Sequence, residues 1–255
     1  MLKQKLSSLL EIAKEASLLA GSKILEIYNS NDFVVEIKGD NSPLTKADKA
    51  AHEIIMSFLE PTGIPVLSEE GREISYNERK KWEFLWIVDP LDGTKEFIKR
   101  NGEFTVNIAL VRNQQPILGV VYAPVLDKLY AGAKAIGASL ISKEGIRVLK
   151  PKVRLDLTKP NLKVVASRSH LNEETQAFLN NLKQPEIVSM GSSLKFMVIA
   201  EGNADVYPRF APTMEWDTAA AHAILEELGG KVSNLDGNSL IYNKENLLNP
   251  YFSAE

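Results

Sequence analysis

Cysteine is absent from this 255-residue chain. Disulfide staples, thiolate catalysis and cysteine-based zinc sites are thereby excluded, and the absence fits a reducing compartment. Histidine is scarce, with three in all, and none falls in the motifs described below. No run approaches the roughly 18 apolar residues that a membrane span needs. The first residues form a charged amphipathic stretch, not an apolar leader. A large excess of either charge is also missing. Thirty-three acidic against 30 basic residues give a net charge of −3, which argues against general affinity for nucleic acid through phosphate neutralisation. What remains is an ordinary globular composition, 44% hydrophobic and 25% charged, long enough for one large or two modest domains.

Apolar periodicity predicts a helix over 4–29, on Leu6, Leu9, Leu10, Ala13, Ala16, Ala20, Ile24 and Ile27. It predicts a strand over 33–38 and a second helix over 45–59, closed by Pro61 and Gly63. Strands follow at 84–88, 104–111, 116–122, 128–133 and 137–142. Their short connections indicate an antiparallel sheet. Lys150 to Pro160 is polar and proline-flanked and reads as a boundary. We therefore divide the chain into an N-terminal α+β part, 1–155, and a C-terminal α/β part, 156–255. In the latter, strands at 162–166, 186–189 and 204–207 alternate with helices at 172–182, 192–202 and 216–228, which suggests a mixed or parallel sheet.

The strongest chemical signal is Trp86-Ile87-Val88-Asp89-Pro90-Leu91-Asp92-Gly93-Thr94. An apolar strand ends in two carboxylates, with Pro90 expected to stop it and Gly93 to turn the backbone. Clustered carboxylates repel unless a cation or proton sits between them. Further carboxylates occur in Leu67-Ser68-Glu69-Glu70-Gly71 and Glu215-Trp216-Asp217. Asp217 is placed to cap the helix after it and still offer an oxygen outward. Such an all-oxygen set disfavours zinc and suits Mg²⁺ or Mn²⁺. A cation held by carboxylates is suited to neutralise a phosphate ester and activate water against it. Gly93 and Thr94 open a helix whose amides suit phosphate oxygens. Asp48, early in the second helix, has a dipole reason to be there.

These motifs, in this order and along essentially the whole chain, resemble the inositol monophosphatase superfamily of Mg²⁺-dependent, lithium-sensitive phosphatases. The resemblance implies a layered α/β/α/β/α sandwich. It implies metal ligation by Glu69, Asp89, the Leu91 carbonyl and Asp92, with Asp217 joining at a second ion and a weaker third ion leaning on Glu69. Two to three Mg²⁺ ions are expected, with Mn²⁺ able to substitute, and Glu70 is expected to support the ligands. The bisphosphate nucleotidase branch pairs an aspartate with the motif threonine to deprotonate water, which implies Asp48 as general base through Thr94, with water beside Glu69 attacking phosphorus directly.

Three segments of the second half bear on substrate choice: Ser167-Arg168-Ser169-His170, Gly191-Ser192-Ser193-Leu194-Lys195-Phe196 and Tyr207-Pro208-Arg209-Phe210. Together they describe a basic, hydroxyl-rich pocket. Lys195 and Arg209 could bind a second phosphate, and His170 could stack on or hydrogen-bond a base. Ser167, Gly191 and Ser192 supply further polar groups, and His52 and His222 read as structural. These pieces resemble bacterial 3′(2′),5′-bisphosphate nucleotidases of sulfur metabolism. The expected reaction is removal of the 3′-phosphate from adenosine 3′,5′-bisphosphate, with its sulfated relative as a second candidate. The alternatives are an inositol-1-phosphate phosphatase and a non-catalytic phosphate-binding regulator of the same fold. The expected location is cytoplasmic or peripheral at the inner membrane, and the chain is expected to be a monomer or a homodimer.

Overall fold

In a computed structural model describing residues 2–30, 35–37, 43–151, 154–166 and 171–255, the strand-rich middle of the chain becomes one mixed sheet. It takes the order β3-β4-β5-β6-β7-β8-β9, with β3 (Val66–Ser68), β4 (Phe84–Asp92), β5 (Thr105–Arg112), β6 (Gln115–Ala123), β7 (Lys128–Ala133), β8 (Gly137–Ser142) and β9 (Gly145–Val148). Neighbours are antiparallel except β3, which lies parallel to β4. Before it come α1 (Leu2–Asn29), the two-stranded β1 (Val35–Ile37) and β2 (Pro43–Thr45), and α2 (Lys46–Leu59). The short helices α3 (Tyr76–Arg79) and α4 (Thr94–Ile98) flank β4.

One face of this sheet is covered by α1 and α2. Leu6, Leu9, Leu10, Ala13, Ala16, Ala20 and Ile24 of α1 are all buried there, as their spacing requires. Gly21 lies inside the helix because α1 runs against the Tyr122 ring. A Cβ at Gly21 would fall 2.3 Å from that ring. Gly119 does the same on the opposite face, where a Cβ would meet the Ala220 carbonyl oxygen at 2.0 Å. Strand β6 is thus clamped closely between helices on both sides.

That opposite face carries α6 (Leu194–Ala200) and α7 (Ala219–Glu227). Beyond them lie β10 (Lys163–Val165) parallel to β11 (Glu186–Val188), and an antiparallel trio β12-β14-β13 made of Tyr207–Arg209, Phe252–Ala254 and Val232–Asn234. A parallel bridge between Val164 and Val206 joins the two groups. Helix α5 (Glu173–Asn180) covers the outer side, with Leu179 packed on Val164 and Val206. The layers therefore run helices, sheet, helices, sheet, helix, which is the sandwich expected. The strand placed at 204–207 lies instead at Tyr207–Arg209. Among the described residues no helix is long and apolar enough to cross a membrane.

Pro90 does not stop its strand. β4 continues to Asp92, and the register slips between Asp89, paired with Asn107, and Asp92, paired with Thr105. The bulge takes Pro90, which has no N–H to give, out of the ladder. It also changes the direction of the side chains. In a regular strand, residues three apart point to opposite faces. The bulge brings Asp89 and Asp92 to the same side.

Candidate active site

Asp89 and Asp92 from β4 meet Asp217 from the 3₁₀ turn Glu215–Asp217, and one carboxylate oxygen of each lies within 4.8 Å of the others. Glu69 follows β3, and its N–H donates to the Val88 carbonyl at 3.1 Å. Parallel pairing of β3 with β4 thus sets Glu69 next to Asp89. The Leu91 N–H donates to Asp89 Oδ1 at 3.0 Å. Burial, then the charges of Glu69, Asp92 and Asp217, push the Asp89 carboxyl well above the usual range. Burial and the Asp92 charge push Asp217 up to about 8. Buried oxygens that oppose one another this strongly are a donor set for a hard divalent cation, which would relieve both effects. Glu70 acts on His52, whose Nδ1 pairs with Ser68 Oγ at 2.9 Å.

Asp217 does not cap the helix that follows it. The residue before α7 is Thr218, which makes no side-chain cap bond. Asp217 instead closes its own turn, its Oδ2 accepting from the Met214 N–H at 2.8 Å. The same turn carries Glu215, fully buried, which accepts from Lys244 Nζ at 2.6 Å and from the N–H groups of Asn243 and Lys244. Arg79 in turn holds Asn243.

Thr105, Asn107 and Ser193, which sequence reasoning passed over, surround Asp92 together with Ser192, which it assigned to the substrate pocket. Asp92 Oδ2 accepts from the Ser193 N–H (2.7 Å), Ser192 Oγ and Asn107 Nδ2 (3.3 Å), and Thr105 Oγ1 stands 3.4 Å away with its proton directed at Asn107 Oδ1. Ser193 Oγ then donates to the Asp217 carbonyl at 2.9 Å. Thr105 and Asn107 did carry a signal. They are polar residues two apart in the otherwise apolar run Thr105-Val106-Asn107-Ile108-Ala109-Leu110-Val111, and both are buried. Ser192 adopts a φ of 50°, a strained backbone that turns its hydroxyl and the next N–H toward Asp92.

Thr94 begins α4, with Gly93 before it at φ 95°. The Thr94 hydroxyl lies 3.3 Å from buried Asp48 Oδ1 and 3.3 Å from the Leu91 carbonyl. A cavity of about 260 Å³ is lined by Asp92, Gly93, Lys195, Arg209 and Asp217 among others. Burial lowers the Lys195 pKa, and Arg209 acts in the same direction. Arg209 Nη2 donates to the Pro212 carbonyl at 3.1 Å, and among the described residues its buried Nε has no partner. A neighbouring cavity of about 380 Å³ also reaches Lys195 and Arg209 and adds Asn172, Met190, Gly191 and Phe210. Ser167 and His170 lie outside the described residues. His222 is buried, with Nδ1 on the Tyr242 hydroxyl at 2.8 Å, a structural position like that of His52.

Comparison with known proteins follows the same lines. Residues 5–251 match the inositol monophosphatase family. The chain is 48% identical over 237 residues to the 3′(2′),5′-bisphosphate nucleotidase CysQ of Shigella flexneri, covering 91% of this chain and 94% of that protein. The crystal structure of CysQ from Bacteroides thetaiotaomicron superposes with a TM-score of 0.86 at 48% identity, covering 97% of each chain. An inositol monophosphatase from Anabaena superposes at 0.74 with 27% identity, over 98% of this chain and 91% of that one.

Proposed function

The chain belongs to the inositol monophosphatase family, and from that premise we propose that it is a divalent-cation-dependent 3′(2′),5′-bisphosphate nucleotidase. One observation carries the choice within the family. The carboxylates of Asp92 and Asp217 share a cavity with Lys195 and with Arg209, whose buried Nε is unpartnered among the described residues. A cation site and an anion site side by side suit a substrate with two phosphates. Identity near one half to relatives named for that activity supports the same choice.

Glu69, Asp89, the Leu91 carbonyl, Asp92 and Asp217 would hold two to three Mg²⁺ ions, with Mn²⁺ able to substitute. Bound there, the ions would supply Lewis-acid stabilisation of phosphoryl charge and a water of lowered pKa. Thr94 would take a proton from the attacking water on Oγ1 as its own hydroxyl proton passes to Asp48 Oδ1, 3.3 Å away. Glu69 would orient that water. Gly93 and Thr94 would receive oxygens of the phosphate being cleaved. Lys195 and Arg209 would hold the second phosphate, the arginine through its planar fork. Ser167, His170, Gly191 and Ser192 would complete the nucleoside side. The products would be a nucleoside monophosphate and inorganic phosphate. Adenosine 3′,5′-bisphosphate is the first substrate to try and its sulfated relative the second.

The test is a side-by-side assay of adenosine 3′,5′-bisphosphate, inositol 1-phosphate and fructose 1,6-bisphosphate, with Mg²⁺ and with chelator. The bisphosphate nucleotide should be hydrolysed fastest, and only with Mg²⁺. Equal or faster turnover of inositol 1-phosphate would overturn the assignment. In the same assay Arg209→Ala should raise KM for the bisphosphate more than for a nucleoside monophosphate. An equal rise for both would remove Arg209 from the second phosphate.

A further inference from the structure

Asn107 lies on β5 opposite Asp89 and is 1% exposed. Its amide joins two parts of the cation site that are distant in sequence. Nδ2 donates to Asp92 Oδ2 at 3.3 Å and to Ser193 Oγ at 2.9 Å, and Oδ1 accepts from Thr105 Oγ1 at 3.0 Å. The orientation is chemically forced. A carboxylate only accepts, so the nitrogen of the amide must face Asp92 and the oxygen must face the threonine hydroxyl. Ser193 passes the link on, donating its hydroxyl proton to the Asp217 carbonyl.

With three donors on it, the Ser193 N–H, the Ser192 hydroxyl and the Asn107 amide, Asp92 Oδ2 has no lone pair left for a cation. Oδ1 is left to face the site, and among the described residues no donor is bonded to it. We propose that Asn107 is a positioning residue for the cation site. It holds Asp92 as a ligand through one oxygen and, through Ser193, keeps that oxygen in register with Asp217. A chain that lacked this link would keep every ligand and still lose the geometry in which they converge, because among the described residues no other side chain of β5 is linked to both carboxylate segments. The inference rests on the cation-site reading above and deepens it.

Asn107→Leu keeps the branched outline in a larger, apolar side chain and removes both donors and the acceptor. The decisive measurement is the affinity of the chelator-stripped protein for Mn²⁺, followed by the loss of the free Mn²⁺ signal in electron paramagnetic resonance without substrate. Affinity should fall by about 10- to 100-fold, the range for residues that orient metal ligands. Raising Mn²⁺ should then restore kcat to within a few-fold of wild type. A purely structural role would instead lower the melting temperature and leave Mn²⁺ affinity in place. Affinity within twofold of wild type would therefore overturn the proposal. If the wild-type protein itself takes up no Mn²⁺, the cation-site reading fails and this inference with it. Should Asn107→Leu not fold, Ser193→Ala breaks the other end of the link and is judged by the same affinity. Failure of both to fold would make the link a requirement of the fold and also overturn the proposal.

Discussion

Repulsion among the carboxylates can be tested without any substrate, through the dependence of stability on pH. Burial and the Asp92 charge raise Asp217 from an ordinary 3.8 to about 8. Below the ordinary value both folded and unfolded chains carry the proton. Above it the unfolded chain loses the proton while the folded one keeps it until about pH 8. The folded state is thus favoured by its extra proton at mildly acidic pH, and this advantage drains away as pH rises through 8. Between pH 6 and 9 one such group costs about 2 to 3 kcal/mol, taking about 1.4 kcal/mol per pH unit. For a chain of this length that is a fall in melting temperature of roughly 5 to 10 °C. Asp89 is shifted in the same direction by burial and by Glu69.

The assay is thermal unfolding of chelator-treated protein at several pH values, repeated with saturating Mg²⁺. Ligands must be deprotonated to bind metal, so the gap between the two curves should widen with pH. It should reach about 3 kcal/mol when Mg²⁺ stands a hundredfold above its dissociation constant. Asp217→Asn removes the titrating group, and its metal-free curve should be flatter than that of wild type. A wild-type metal-free melting temperature that stays level or rises from pH 6 to 9 would refute the electrostatic picture. A slope unchanged in Asp217→Asn would refute the assignment to Asp217.

Asp92→Asn should leave a folded protein that turns over substrate at least about 100-fold more slowly, beyond the range for residues that merely support a ligand. Near-normal steady-state rates would remove Asp92 from the cation site. Thr94→Val keeps the shape of the side chain and removes the hydroxyl facing Asp48. It should lower kcat by about 100-fold or more and leave Mn²⁺ affinity unchanged, whereas a kcat within threefold of wild type would end the proton-transfer role. Gly119→Ala should cost at least about 2 kcal/mol in urea unfolding, since its Cβ would overlap the Ala220 carbonyl oxygen. A loss below 0.5 kcal/mol, roughly that of a neutral surface change, would show that α7 can retreat from the sheet.

The amphipathic helices and the long middle strands were legible because each spans enough residues for a period to show, and each buries one continuous face. The three-residue strands β13 and β14 were not. Their pairing comes from where the chain returns in space, and three residues establish no alternation. Pro90 misled for a different reason. The expectation that proline ends a strand assumes a regular ladder, and the bulge between Asp89 and Asp92 supplies a position where the missing N–H costs nothing. That same bulge is what lets residues three apart point together, so the local feature that defeated strand prediction is the one that assembles the cation site.

The carboxylates themselves were easy to find, because an anion at the end of an apolar strand is an anomaly visible in the sequence. Their supports were hidden, because a hydrogen bond has no sequence signature when its ends are far apart. Asn107 and Ser193 are separated by 86 residues, and Asp92 and Ser192 by 100. Polar residues at alternate positions of a strand ordinarily face water, so Thr105 and Asn107 invited that interpretation. In the folded chain they face inward because Ser192 and Ser193 arrive on the other side with groups to satisfy them. The cost of burying Thr105, Asn107 and Ser193, with Ser192 half-buried beside them, is accepted where Asp92 gains its donors. A polar pair inside an apolar strand, opposite a strand that ends in carboxylates, is therefore a signal that could have been used. It points to the side chains that hold a charged site in shape, whereas the carboxylates point only to the charge.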